Sequence, residues 1–173
     1  MFRNRGDAGS APSNAYRMTQ QMFSIGDDFW IENGAGQRAF KVDGKALRIR
    51  KTLIIEDAAG RELYTIKEKL VTIRDVMTID GAAGQVASVK KALISPLRER
   101  YNIEFAGGAE WKAQGNIVDH QYEIEGPAGK IADVSKKWFR VRDSYGIEVA
   151  PGQDDALVLA IAVVIDTMSH PHR

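Results

Sequence analysis

The side chains best suited to bind a ligand are three groups of basic residues. Arg48 and Arg50 stand two apart in segment 46–55, whose alternation of apolar and basic residues predicts a β-strand, so both lie on one strand face. Arginine carries a planar fork of donors that matches phosphate oxygens. The spacing therefore predicts a site for an anionic headgroup at Arg48, Arg50 and Lys51. The simpler interpretation, which the sequence favours, is a solvated outer strand face.

Two further basic groups follow, but the total charge is nearly balanced. Lys90 and Lys91 precede Arg98 and Arg100, which again stand two apart. The chain of 173 residues has 24 Lys and Arg against 23 Asp and Glu, a formal net charge of +1. A polybasic nucleic-acid binder would be clearly basic, so no nucleic-acid partner is expected. The third basic group comprises Lys136, Lys137, Arg140 and Arg142.

Motifs for cofactor binding are weak. Gly34 and Gly36 match a loose dinucleotide-binding pattern, but that motif needs a following helix, and a short strand and a turn are predicted here instead. A hairpin turn is the preferred interpretation. The chain has no cysteine, which excludes thiolate nucleophiles and cysteine-based metal sites. The sequence therefore predicts no cofactor.

The histidines and carboxylates do not form a recognisable catalytic arrangement. His120 falls in segment 116–124, a predicted strand that places Asp119 on the opposite face, and it is expected to face solvent. His170 and His172 fall in a terminal segment expected to be frayed. No catalytic residue and no metal site are predicted, and the chain is expected not to be an enzyme. Three acidic pairs are assigned to turns and a helix start: Asp27–Asp28, Glu56–Asp57 and Asp154–Asp155.

Short turns that end in glycine recur at even spacing and indicate the architecture. Their closing glycines stand at 36, 60, 84, 108 and 129, at intervals of 24 residues three times and then 21. Glycine adopts the positive φ that a tight hairpin turn requires. A period near 24 fits two strands and two connections, so each unit is predicted to be one hairpin. About twelve strands are expected in total.

The C-terminal segment breaks this pattern. Residues 153–168 are predicted to form a helix whose middle, 156–165, is apolar on every side. A helix without a polar stripe is buried all round, and ten residues are too few to cross a bilayer, which takes about 20. Only sheet remains to surround it. The predicted fold is all-β, a closed antiparallel β-barrel of about twelve strands around one buried hydrophobic C-terminal helix. A sandwich with the helix wedged at one end is the alternative.

The order of these segments resembles the LURP-one-related family of the tubby C-terminal-like superfamily. Segments 22–31 and 39–45 are similar to the first two segments of that family, and 154–166 is similar to its buried helix. The resemblance covers about residues 17–168. It implies a twelve-stranded barrel around a hydrophobic helix, and it implies no activity. Tubby proteins of the superfamily bind phosphoinositides, but their lipid-binding positions have no residue-by-residue match here.

The expected organisation is one folded domain with short ends. Residues 1–16 are predicted to be a disordered tail, 17–168 the tubby-like barrel, and 169–173 a frayed C-terminus. The N-terminal segment lacks an apolar signal region, so a cytoplasmic location is expected. The expected role is that of a non-enzymatic tubby-like domain that binds anionic phospholipid headgroups. The alternative is a structural or protein–protein interaction scaffold with no small ligand.

Overall fold

A single closed sheet forms the body of the protein. A computed structural model describes residues 14–19, 28–44, 52–69, 75–92, 99–136 and 144–170. In this part of the chain, twelve antiparallel strands follow one another around a ring, and the first strand closes it by pairing with the last. The strands are β1 (Asn14–Thr19), β2 (Phe29–Asn33), β3 (Arg38–Gly44), β4 (Thr52–Asp57), β5 (Glu62–Glu68), β6 (Val76–Gly81), β7 (Gly84–Ala92), β8 (Glu99–Phe105), β9 (Glu110–Asn116), β10 (Gln121–Gly126), β11 (Gly129–Ser135) and β12 (Ser144–Val149).

The glycine turns make five tight hairpins at one end of the barrel, which we call the hairpin end. They join β2 to β3, β4 to β5, β6 to β7, β8 to β9 and β10 to β11. The predicted hairpins are therefore confirmed. All five closing glycines have a positive φ, as the turns require: Gly36 (76°), Gly60 (83°), Gly84 (118°), Gly108 (91°) and Gly129 (125°).

One helix, α1 (Asp155–Ser169), runs through the barrel and confirms the predicted fold class. Its N-terminus lies at the hairpin end, where the Asp154 carboxylate accepts a hydrogen bond from the Leu157 N–H at 3.1 Å and caps the first turn. Every residue from Val158 to Ile165 is completely buried. The sheet surrounds the helix, so the sandwich alternative is wrong. In the part of the chain that the structure describes, no helix is long and apolar enough to cross a membrane.

Side chains along each strand alternate between the interior and the solvent, because successive residues of a strand point to opposite faces of the sheet. In β8, Tyr101 and Ile103 are fully buried, and Asn102 between them is half-buried on the other face. Inward side chains from all around the ring, such as Ile31 and Ile79, pack in one cluster with the helix. The core of the protein is therefore the annular space between the sheet and α1.

The opposite end of the barrel, which we call the loop end, carries the remaining connections and the C-terminus of α1. These connections are 20–28, 45–51, 69–75, 93–98, 117–120 and 136–143. Most of their residues lie outside the described part of the chain, whereas the β9–β10 turn, 117–120, is fully described.

Several predicted boundaries differ from the structure. β1 begins at Asn14, inside the predicted tail 1–16, and α1 continues to Ser169, inside the segment predicted to be frayed. Segment 116–124, predicted to be one strand, is a strand end, a turn and a strand start. The prediction missed the turn because residues 117–120 contain no glycine and the strand-like alternation continues through them. Residues 1–13 and 171–173 lie outside the described part of the chain.

Gly115 in β9 is expected to be irreplaceable. Its φ is 143°, and a Cβ there would lie 2.5 Å from the Gln121 carbonyl oxygen and 2.8 Å from the Tyr122 Cα. Gly115→Ala should lower the free energy of unfolding by roughly 3 kcal/mol, from backbone strain and the clash together. The matched control is Gly36→Ala, which has strain but open space and should cost about 1 kcal/mol. Equal losses in urea unfolding would contradict the clash.

Candidate functional site

The predicted headgroup site stays a prediction. Arg48, Arg50 and Lys51 lie outside the described residues. The strand ends on either side of them, Gly44 and Thr52, lie at the loop end of the barrel. The connection that contains the three basic residues therefore starts and ends at that end.

The lysines of the second basic group are ion-paired across neighbouring strands. Lys90 Nζ lies 2.8 Å from Glu104 Oε2, and Lys91 Nζ lies 2.8 Å from Glu99 Oε1. Both pairs join β7 to β8. Lys90 and Glu104 pair on the outer surface, where such pairs contribute little to stability. Lys91 lies opposite the buried Tyr101 on the inward face at the loop end, with Nζ 6.0 Å from the centroid of the Tyr101 ring. The acidic partners of the two lysines reduce the positive charge that this group offers to a ligand. Arg98 lies outside the described residues.

The third basic group is only partly described. Lys136 follows β11 directly and is half-buried, so it belongs to the start of the β11–β12 connection at the loop end. Lys137, Arg140 and Arg142 lie outside the described residues. Lys136 is thus the one residue of this group in the part of the chain that the structure describes.

The weak motifs have the local roles expected of them. Gly34 and Gly36 lie in the β2–β3 hairpin turn, which the Gly36 N–H closes on the Asn33 carbonyl oxygen at 2.9 Å. Asp57 accepts hydrogen bonds from the backbone N–H groups of Arg61 and Ala59 in the β4–β5 turn. Those bonds, with the Arg61 side chain, lower the pKa of Asp57. These acidic and glycine residues stabilise turns.

The expectation that His120 faces solvent is wrong. His120 closes the β9–β10 turn with a φ of 52°, the left-handed conformation that glycine adopts at the other hairpins, and it is only 2% exposed. Asx, histidine and glycine residues tolerate this region better than most. The conformation turns the side chain out of the predicted strand alternation and into the end of the barrel.

His120, Asp166 and His170 meet at the C-terminal end of α1, and we call them the histidine–aspartate cluster. His120 Nε2 lies 2.6 Å from Asp166 Oδ1, and His170 Nδ1 lies 3.2 Å from the same oxygen. The His120 ring stacks on Tyr145 at 4.1 Å between centroids and on the His170 ring at 5.4 Å. The cluster thus ties the end of the helix to the β9–β10 turn.

The cluster keeps a charged carboxylate in the interior. Asp166 is 3% exposed. Burial by itself raises the pKa of Asp166, but hydrogen bonds and charge attraction from His120 and His170 outweigh burial, and the net shift is downward. A buried carboxylate survives in this way only when it is paired and hydrogen-bonded.

Unpartnered polar groups surround this carboxylate. His120 Nδ1 and the hydroxyls of Tyr101, Tyr122 and Tyr145 have no hydrogen-bond partner in the part of the chain that the structure describes. Burial raises the pKa of all three tyrosines, and the nearby Asp166 charge raises it further. Such groups are normally satisfied when they are buried, so their concentration at one place marks this end of the interior as unusual.

Two signals in the sequence point to the cluster in hindsight. Asp166 is an acid directly after an apolar helical run, and a buried acid requires a partner. His170 stands four residues later, one helical turn along the same face. Predicting a helix end at 168 hid that pairing. No local signal joins His120 to them, since the contact spans 46 residues.

A closed antiparallel barrel threaded by its own C-terminal helix is the architecture of the tubby-like proteins. The LURP-one-related family model matches residues 15–166, and the chain belongs to this family. A protein of Arabidopsis thaliana solved by X-ray crystallography is similar in structure, with a TM-score of 0.66 and 14% sequence identity over 91% of this chain and 93% of that chain. At that identity the likeness establishes the fold alone. A search of curated proteins finds no match.

Asp166 should make stability depend on pH in acid. Its pKa is lower in the folded state than in the unfolded state, so its contribution is present above the unfolded pKa, near 4, and is lost as the pH falls through the folded value. Asp166→Asn should flatten the acid side of the pH–stability curve. Urea unfolding followed by tryptophan fluorescence measures the slope. Asp133→Asn, on the outer surface, is the control, and an equal effect there would contradict the assignment.

The contacts of the His120 side chain should outweigh the strain of its backbone. His120→Ala should lower the free energy of unfolding by about 2 kcal/mol, because a buried hydrogen bond to a charged group is lost. His120→Gly loses the same contacts but relaxes the left-handed backbone, which recovers about 1 kcal/mol. Chemical denaturation compares the two variants. A glycine variant as stable as the unsubstituted protein would show that the contacts of the ring do no more than offset the backbone strain.

Proposed function

We propose that the loop end of this LURP-one-related barrel binds anionic phospholipid headgroups at the cytoplasmic face of a membrane, without catalysing a reaction. The observation that carries the proposal is the placement of the three basic groups. Each group lies in or beside a connection at the loop end. The strand ends that border these connections are Gly44 and Thr52, Ala92 and Glu99, and Ser135 and Ser144.

The spacing of the three connections favours a flat anionic surface over a single small ligand. They join β3 to β4, β7 to β8 and β11 to β12, so each is four strands from the next in a ring of twelve. The described strand ends that border the three connections are therefore about a third of the ring apart. Cations spread in this way attract an extended negative surface, such as an anionic leaflet, at about 1 kcal/mol for each Lys or Arg.

An exposed apolar side chain at the same end supports a membrane contact. Val118, at the tip of the β9–β10 turn, is 49% exposed. It is the one exposed large hydrophobic residue in the part of the chain that the structure describes. The sequence of the adjacent β11–β12 connection contains Trp138, and that of the β1–β2 connection beyond it contains Phe23. Apolar side chains beside basic ones are what interfacial proteins insert at the boundary between headgroups and acyl chains.

The alternative, a scaffold with no small ligand, has less support. A scaffold that binds by strand addition needs a free sheet edge. In the described sheet every strand is paired on both sides, including β1, which pairs with β12 and β2. A scaffold role would therefore use side-chain surfaces. The basic groups in or beside the loop-end connections favour anionic lipid over such a role.

Reversing the first basic group should abolish liposome binding. Arg48→Glu, Arg50→Glu and Lys51→Glu together should reduce co-sedimentation with phosphatidylserine-containing liposomes by at least about tenfold, since attraction becomes repulsion. Raising the salt should weaken the binding of the unsubstituted protein, and phosphatidylcholine liposomes should not bind it.

The matched control reverses three cations at the hairpin end. Arg38, Arg61 and Lys130 each lie at or beside the start of a strand that leaves a glycine turn, and their reversal changes the net charge equally. This control should still bind anionic liposomes. Loss of binding in both triple variants, or binding that survives reversal of residues 48, 50 and 51, would refute the site. No binding by the unsubstituted protein under any condition would leave the scaffold as the working model.

A further inference from the structure

We propose that the histidine–aspartate cluster is a binding site for a divalent transition-metal ion, with Zn²⁺ the best match. His120, Asp166 and His170 would be its three protein ligands. The bound ion would fasten the C-terminal end of α1 to the β9–β10 turn. This site uses none of the residues of the three basic groups, and the metal proposal does not rest on lipid binding.

The ligand chemistry fits zinc. Two imidazoles and one carboxylate form a common three-residue zinc set, with a water molecule in the fourth position. The three residues each offer one ligand atom, and those atoms all lie within 4.8 Å of one another. Ligands about 2.1 Å from one tetrahedral ion stand about 3.4 Å apart. Two of the three separations, from His120 Nε2 and from His170 Nδ1 to Asp166 Oδ1, are 2.6 and 3.2 Å and need to open by less than about 1 Å to reach that spacing. The two histidine atoms lie within 4.8 Å of each other.

The ligands are held by two elements that are themselves fixed. Asp166 lies in α1, which is packed inside the barrel, and His170 follows as its C-cap residue. His120 closes the turn between two paired strands, and its ring is stacked between Tyr145 and His170. A site whose ligands are already buried and oriented loses little entropy when the ion binds.

The unpartnered polar groups are the second observation that points to a ligand. The hydroxyls of Tyr101, Tyr122 and Tyr145 belong to residues that are at most 4% exposed. All three tyrosines lie within the first three residues of β8, β10 and β12, at the end of the barrel where α1 ends. A hydrated metal ion brings polar atoms to this place, and the tyrosine hydroxyls are the groups that would hydrogen-bond to its water.

A simpler account treats the cluster as a helix-end hydrogen-bond set. Two histidines that donate to Asp166 do satisfy its carboxylate and complement the negative end of the helix. That account leaves three tyrosine hydroxyls buried without partners in the described residues.

Metal titration of the full chain tests the site directly. The protein is produced without a histidine tag, treated with a chelator and titrated with Zn²⁺ and Co²⁺ by calorimetry. We expect one ion per chain, a rise in Tm, and the intense visible absorption of tetrahedral Co²⁺ with nitrogen and oxygen ligands. Affinity should fall as the pH is lowered, because protons compete for the imidazoles. Absence of binding by either ion would overturn the proposal.

Substitutions then assign the ligands. His120→Asn and His170→Asn should each weaken binding by at least tenfold, since each removes one ligand of three. Thr167→Val is the matched control, because Thr167 is buried beside Asp166 on the same helix but is not a ligand; its affinity should not change. Binding that persists in both histidine variants would refute the site.

Histidine NMR keeps the test valid if the variants do not fold. The chain has three histidines, so ¹H–¹⁵N spectra of their ring nitrogens are simple. Zn²⁺ should shift the ring nitrogens of His120 and His170 in the unsubstituted protein. Zinc binding with both rings unshifted would place the ion elsewhere and overturn the proposal. Liposome binding plays no part in either measurement, so the headgroup and metal proposals can fail independently.

Discussion

The burial of an apolar helix inside the sheet is the constraint on which the rest of the molecule depends. Because α1 has no polar stripe, it needs protein on every side, and a sheet provides that only when it closes on itself. Closure requires every strand to pair twice, and tight hairpins hold neighbouring strands in register. The glycine turns at one end of the barrel and the completely buried run from Val158 to Ile165 are thus two consequences of one packing requirement.

The direction of the helix gives the two ends of the barrel different characters. α1 starts at the hairpin end, where Asp154 caps it and Asp155 accepts a hydrogen bond from the Tyr16 hydroxyl. It ends at the loop end, where its carbonyl groups and Asp166 bring negative charge into the interior. The two histidines of the cluster are placed where this charge has to be balanced. The buried polar chemistry and the basic connections therefore share one end, although they use different residues.

The fold could be predicted from the sequence because its two main signals are local. Glycine spacing marks the hairpins, and an unbroken apolar run marks the central helix. The cluster could not be predicted from local signals, since His120 adopts the left-handed conformation typical of glycine, which a histidine at this position does not predict. Its contact with Asp166 exists only because the ring of strands returns the β9–β10 turn to the end of the helix.

The pairing of the first strand with the last has a consequence for the order in which the chain acquires its structure. Asn14 pairs with Val149, and Tyr16 contacts the first residue of α1. The ring cannot close, and its interior cannot be filled, until the final strand and the helix have left the ribosome. Until then the nascent chain presents unpaired strand edges and an incomplete core, which are the features that promote aggregation. This barrel can therefore be completed only after β12 and α1 have been synthesised.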